Sequence, residues 1–575
     1  MGFSRFTREL YNFLLDDDSL DYHGIEQLKV FQSEKMYEPY NGKLIGRVKL
    51  VPLEPFGTNI RDPEKTSSGE LTQLANRLQI NTRKSTLRRS LRLKSGVELN
   101  SYSLADAERI LRATPFISEA RMRILPNPAD TNFVDVEVIM EESWTISLDY
   151  DSSPWTSEWE IYDGNFLGLG HRFGHRLVLP RRRINNNSQN YYAGYEGNYR
   201  VYNAFNTLGD LSLIYQNTYR NRSAIAAFEK NFVSPQTVWG GGISSAYHQF
   251  FDNNENPGGI IFRHKKNLQK IWVGRAFAVD DHGQEEFTRD RFIYSASIER
   301  WDFTEGPRTG SDFLRAYQSR MRYLMSLTFN KRNYYQASMI YGFGRTEDVP
   351  TGYLMQLTGG YERRKDEGRA YLGANVAMGD FLEGIGYMNA DLKAGTFLGT
   401  NDQPEDSVLD LKISYFSNFK WVGRSQFRNF IELRYTQGSQ RREDDYLQLI
   451  DKRGVRGLDL FEIIGDKRLT LKFENVLFTP MYIYGFQVAV MTFADFAWIG
   501  RQDSELNFST GSYQGYGFGF RFRNENLIFP TIQLRFGFYP RVPEGVNPFG
   551  LSLGGHKSLQ VNDFVPGAPS ILDFD

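Results

Sequence analysis

From Trp144 to about Pro540 the chain repeats one local pattern: segments of about ten residues in which polar and apolar side chains alternate, separated by turn residues. Period two places neighbouring side chains on opposite faces of a strand. In the segment around 407–416, Leu409, Leu411, Ile413 and Tyr415 point one way, and Asp410, Lys412 and Ser414 the other. Leu469, Leu471 and Phe473 likewise oppose Arg468, Thr470, Lys472 and Glu474, and Ile532, Leu534, Phe536 and Phe538 oppose Gln533 and Arg535. One such strand also fits a soluble sandwich. About 400 residues of it, with charge concentrated on the polar face, do not, because a dry core cannot bury so many ionised groups. A water-filled lumen can. The predicted fold class is therefore a transmembrane antiparallel β-barrel spanning 143–540. At roughly 25 residues per strand plus connection it holds about sixteen strands, an even number that returns the last strand to the side of the first.

Composition is consistent with this reading. No run of about 18 apolar residues exists, so no transmembrane helix is available. The mean hydropathy of −0.49 suits a barrel in which only alternate strand residues face lipid. A formal net charge of −1 excludes a bulk nucleic-acid footprint. Cysteine is absent, which removes disulfides, thiolate metal sites and cysteine nucleophiles together. The opening MGFSRFTRELYNFLLDDDSL has too short and broken an apolar stretch for a signal peptide, so a barrel would imply a mature or trimmed form.

The flanks read differently. Residues 1–39 form an N-terminal helix and linker, with Phe6, Leu10, Phe13 and Leu14 at helical spacing. Residues 40–142 read as a small α+β domain of order β-α-α-β-β. A strand at 42–53 is followed by a polar stretch, a basic helix at 85–93 and a helix capped by Ser103 with Asp106 three residues on. Strands at 117–126 and 133–142 complete it. Residues 541–575 read as a tail outside the barrel. No catalytic constellation stands out, so the chain reads as a non-enzyme without cofactor. His171 and His175 share a strand face but lack a third ligand, and no metal site is expected.

Two stretches resemble a known family. Residues 40–142, with AERILRATPFISEARMRI and FVDVEVIMEE, resemble a POTRA domain. Residues 144–540 resemble the barrel of the outer-membrane insertase and translocator superfamily, the bacterial surface-antigen family that includes BamA, TamA and the two-partner-secretion transporters. Asn165 to Gly170 is similar to its N-x-x-G-x-G element. Val455, Arg456, Gly457 and Leu458 match its V-R-G-(F/Y) loop, with Leu for the aromatic. Phe493, Asp495 and Ala497 match its F-x-D-x-G strand, with Ala for Gly. Residues 515–538 resemble its two closing strands.

The resemblance implies a bacterial outer-membrane protein with its POTRA-like domain and tail in the periplasm. It implies a factor that templates client strands at a lateral seam, here Trp144, Ile146 and Leu148 against Ile532, Leu534, Phe536, Gly537 and Phe538. The alternatives are a polypeptide-translocating pore and a structural or docking subunit of a larger complex. The partners implied are unfolded outer-membrane or secreted polypeptides, periplasmic and outer-membrane accessory proteins, and the lipid bilayer, but no nucleic acid. The edge strand of the POTRA-like domain, through Ile117, Ala120, Met122 and Ile124, would capture an extended segment. Arg456, on a long loop at 437–466, would enter the lumen and pair with Asp495.

Overall fold

The computed structural model describes residues 31–574 apart from 59, 61, 65–69, 92, 153–155, 181–192, 219–220, 253–261, 280–288, 310–311, 366, 400–401, 442–444, 452, 484–485, 502–505, 507–510, 528–530, 555–560 and 562. The expected helix at 1–20 lies outside the described residues.

The small domain runs through strand Leu44–Leu53, helices Glu70–Leu78, Lys84–Ser90 and Ser101–Arg112, and strands Ile117–Pro126 and Phe133–Glu142. Phe133–Glu142 is the central strand, parallel to Leu44–Leu53 and antiparallel to Ile117–Pro126. A parallel pair needs a crossover, and the helices supply it. Leu87, Leu104, Leu111, Val136 and Val138 meet in an apolar core.

Ser103 does not cap the last helix. The Asn100 side chain accepts from the Tyr102 and Ser103 amides, at 2.8 and 3.2 Å, so the cap lies three residues earlier. Asp106 is thereby left to pair with Arg109 and to accept from Ser234. The helix is buried on both sides. Leu104, Ala107 and Leu111 face the sheet. The polar side meets the near end of the barrel, where Arg112 grips Asp348 with two hydrogen bonds of 2.9 and 2.6 Å and Arg109 donates to the Val233 carbonyl. Thr346 donates its amide to Glu119, and Arg83 donates its amide to the Gly168 carbonyl in another near-end turn.

The barrel is one closed antiparallel sheet, its strands following each other around the ring in chain order. It holds about twenty strands rather than about sixteen. Two things raise the number. Several near-end turns, such as 167–170, 205–208 and 383–385, take three or four residues, so each strand uses less chain than assumed. A further strand, Phe549–Gly554, lies beyond the expected end at 540, and the barrel closes between it and Ile146–Ser152.

Burial in the barrel is inverted relative to a soluble protein. On Glu347–Arg364, Leu357 is 64% exposed on the outside while Glu362, on the inside, is 1% exposed. Glu362 sits among Arg322, Arg364 and Arg369 at 2.8–3.0 Å. Outward Leu409 and inward Asp410, outward Leu471 and inward Lys472 follow the same rule.

The described residues beyond 540 do not form a tail outside the barrel. After strand Phe549–Gly554, residues 561 and 563–574 lie along the inner wall. Val561 packs against the near-end cluster of Ile340 and Phe343, and Phe574 against Val408 and Leu447 at the far end. A chain with Phe564, Ile571 and Phe574 buries apolar side chains in the lumen instead of leaving them in water.

Candidate functional site

The long far-end loop between strands Ser425–Ser439 and Lys467–Ile483 folds inward through a short hairpin, Leu447–Leu449 with Leu460–Gly465. Its tip brings Arg456 to Asp495. The Arg456 guanidinium donates to both Asp495 carboxylate oxygens, with Nη2 at 2.6 Å and Nε at 2.8 Å from one oxygen each, and the Arg456 amide adds a bond of 2.9 Å. Nη2 also donates to the Phe473 carbonyl, Nη1 to Glu474, and the guanidinium lies 4.9 Å from the Phe493 ring centre. Asp495 faces Lys472 across the ladder and is fully buried. Glu474 accepts from Arg521 as well. One loop cation thus ties together two neighbouring wall strands, Lys467–Ile483 and Phe486–Gly500. Four of the five N–H donors of its fork are used, which offsets the cost of burying it.

The backbone is shaped for this contact. Gly457 has φ +77°, and a Cβ there would lie 2.3 Å from the Tyr539 hydroxyl, which donates to the Arg456 carbonyl. Gly515 and Gly517 clear space for Val455 and Phe493, since added Cβ atoms would stand 2.4 and 2.5 Å from those side chains. Leu458 and Ala497, the two departures from the family motif, pack in one cluster with Val455, Leu460 and Tyr539. A branched aliphatic on the loop and a methyl on the wall fill the same gap from two sides.

Glu474, Arg521, Tyr539, Gly515 and Gly517 were not singled out from the sequence. The glycines had a readable signal: Gly515, Gly517 and Gly519 recur at period two, so they share one strand face. Glu474 and Tyr539 had none, because their roles depend on where the loop lands.

The seam is placed differently from the expectation. Ile532, Leu534, Phe536, Gly537 and Phe538 pair with Tyr513–Arg523 on one side and Phe549–Gly554 on the other. They are one strand short of the closure. Residues 540–548 make a turn, not an end, and Phe549, Leu551 and Leu553 resume the outward alternation. Ile146 and Leu148 do lie on the strand that closes the ring, both exposed. Trp144 precedes that strand and bridges to Leu527 in the turn region beyond Tyr513–Arg523.

Strand Ile117–Pro126 is an edge, but part of its backbone is taken. The Met122 amide donates to Glu108 at 2.6 Å, its carbonyl accepts from Tyr37 at 3.3 Å, and the Ala120 carbonyl accepts from Arg112 at 2.9 Å. Ile117, Ala120 and Met122 place their side chains in the domain core. The expected open edge is therefore closed at Ala120 and Met122. A cavity of about 350 Å³ adjoins Ile124, lined also by Met36, Tyr40, Arg121 and Arg123. Burial pushes the Glu108 carboxyl above its usual range, as it does Glu142, and raises Glu141 to about 7.

His171 and His175 bond Tyr199 and Tyr195 at 2.6 and 2.7 Å, so both are held in an aromatic cluster with Phe173. Among the described residues no group of three or more His, Asp or Glu side chains could hold a metal ion.

Among solved structures the chain is similar to BamA from Haemophilus ducreyi lacking POTRA domains 1–3, at 10% identity and TM-score 0.39, over 89% of this chain and 84% of that one. It is similar to CdiB from Acinetobacter baumannii at 11% identity and TM-score 0.36, over 95% and 98%. It is similar to CdiB from Escherichia coli at 12% identity and TM-score 0.43, over 89% and 76%. No protein-family model matches the chain, and no curated protein sequence does.

Proposed function

We propose that the protein acts in the bacterial outer membrane as an assembly factor that lends the edge of its own seam to client β-strands, with the small domain on the periplasmic side. The carrying observation is the uneven wall. Among the described residues, Phe549–Gly554 and Ile146–Ser152, which close the ring, have six and seven residues. Arg320–Ala337 and Glu347–Arg364, halfway round, have 18 each. The ladders beside the closure have only six and seven residue pairs, against 18 between Arg320–Ala337 and Glu347–Arg364, so this stretch of wall carries the fewest inter-strand hydrogen bonds and the closure within it is where we place the opening. An open strand edge in lipid leaves backbone groups unpaired at several kcal/mol each, and a client strand that pairs with it removes that cost. The Arg456 cluster holds the far-end loop against strands Lys467–Ile483 and Phe486–Gly500, keeping that wall rigid while the seam moves.

Cysteine pairs scanned between 146–152 and 549–554 test this in a chain without native cysteine. Oxidation is expected to stop client insertion and a reductant to restore it. Undiminished insertion by the locked barrel overturns lateral templating. A second reading, transport of a polypeptide through the lumen, is favoured by one observation: the lumen already accommodates the extended segment 561–574. Depletion followed by an inventory of the outer membrane separates the two. Broad loss of barrels marks an assembly factor, and loss of one exported protein marks a translocator.

A further inference from the structure

We propose that the inner wall carries a binding groove for an extended polypeptide anchored by aromatic side chains, and that residues 561–574 occupy this groove as an internal ligand. It holds whichever way clients are handled, because it concerns what the lumen wall recognises.

The segment is gripped along its length. Phe564, fully buried, packs on Leu354 and Ala377. Ala568 meets the cluster of Phe232 and Trp272, Ile571 that of Leu324 and Tyr371, and Phe574 that of Val408 and Leu447. Between these anchors the wall reads backbone. Asn330 donates to the Phe564 carbonyl at 3.3 Å, the Phe232 amide to the Pro566 carbonyl at 3.2 Å, and the Leu572 amide to the Tyr371 hydroxyl at 2.9 Å. Such bonds recognise an extended chain with little demand on its sequence, while the pockets select its side chains.

The wall is cut to fit. Gly438 and Gly379 lie beneath the two phenylalanines. Added Cβ atoms would stand 2.5 Å from the Phe574 ring and 3.0 Å from the Phe564 ring. At Gly438 the Phe574 ring is the nearest neighbour of such a Cβ, so this glycine makes room for the segment itself. The far end of the groove also joins the loop that carries Arg456, because the Arg441 guanidinium lies 4.4 Å from the Phe574 ring centre. The ligand class is therefore a polypeptide of about ten or more residues, extended, with aromatic or aliphatic anchors three or four residues apart, as at 561, 564, 568, 571 and 574.

The probe is a labelled synthetic peptide of residues 561–575, added in detergent to the chain lacking 561–575. Saturable binding is expected there, and binding at least tenfold weaker to the intact chain, whose groove is filled. A peptide carrying Phe564→Ala and Phe574→Ala, and a truncated chain carrying Gly438→Val, should each bind at least tenfold more weakly. Equal binding of a scrambled peptide, or equal binding to the intact chain, overturns the proposal. Should the truncated chain not fold, Leu447→Cys with Phe574→Cys in the full chain is read instead. An oxidation-dependent crosslink between them is expected, and its absence overturns the proposal.

Discussion

The small domain and the barrel are built from similar residues with opposite rules of burial. In the small domain Leu104, Leu111 and Val136 are hidden, and Arg47 and Lys49 stay mostly in solvent. In the barrel Leu357, Met325 and Leu372 are on the outside, and Arg456, Glu474 and Asp495 are hidden. The difference is the surroundings. Water is outside the small domain, so apolar area leaves it by moving inward. In the barrel apolar area stays outside and polar groups turn to one another in the lumen, the arrangement expected of a barrel surrounded by lipid. Stability then rests on packing in one region and on completed ion clusters in the other.

Four measurements sharpen or break this contrast. The largest effect is expected at Arg456→Ala or Asp495→Ala, each costing about 3–5 kcal/mol because the other charge is stranded. The double variant should cost far less than the sum, read by thermal unfolding of the barrel in detergent. Additive losses would show that the lumen cluster is not a unit. Next, Leu104→Ala should cost about 2–5 kcal/mol through the cavity it leaves. The loss should fall on the small domain alone, seen as faster proteolysis between 40 and 142 while the barrel keeps its unfolding temperature. Third, Leu327→Arg, on the outward face, should cost about 2–4 kcal/mol if it lies near the middle of the bilayer. A comparably exposed position on a soluble domain would tolerate the change, so a neutral result would refute lipid contact at that face.

The smallest effect is in pH. Burial raises Glu141 from the ordinary carboxylate range to about 7, and the neighbouring Glu119 adds to the shift while Arg345 opposes it. Between about pH 4.5 and 7 the folded domain keeps a proton that the unfolded chain releases, so its stability falls as pH rises through that window. Raised Glu108 and Glu142 act in the same direction, and lowered Asp106 acts against them. Proteolytic resistance of the small domain should be higher at pH 5 than at pH 8, with a flatter profile in Glu141→Gln. An unchanged profile in that variant would mean that Glu141 ionises normally.

Some of the site was legible in the residues and some was not. The Val455–Arg456–Gly457 and Phe493–Asp495 stretches could be paired through resemblance to a family, and the structure brings Arg456 and Asp495 into contact. Glu474, whose carboxylate completes the arginine's shell, looked like any other inward strand residue. The edge at Ala120 and Met122 looked available because nothing local reveals that Glu108, Arg112 and Tyr37 fold over it. Helix Ser101–Arg112 showed one apolar face, and its polar face gave no hint of burial because its partner, Asp348, is more than two hundred residues away.

What the sequence determined by itself is whatever depends on near neighbours: the period-two faces, their inside and outside, and the strands and last two helices of the small domain, though not its additional helix Glu70–Leu78 or the cap at Asn100. What only the tertiary structure decided is the number of strands in the ring, its closure at Phe549–Gly554, the capture of 561–574 by the lumen and the docking of the small domain on the near mouth. The physical reason is range. Alternation is set by backbone geometry at each residue, whereas ring closure and lumen filling depend on which distant surfaces remain unpaired once every local choice has been made.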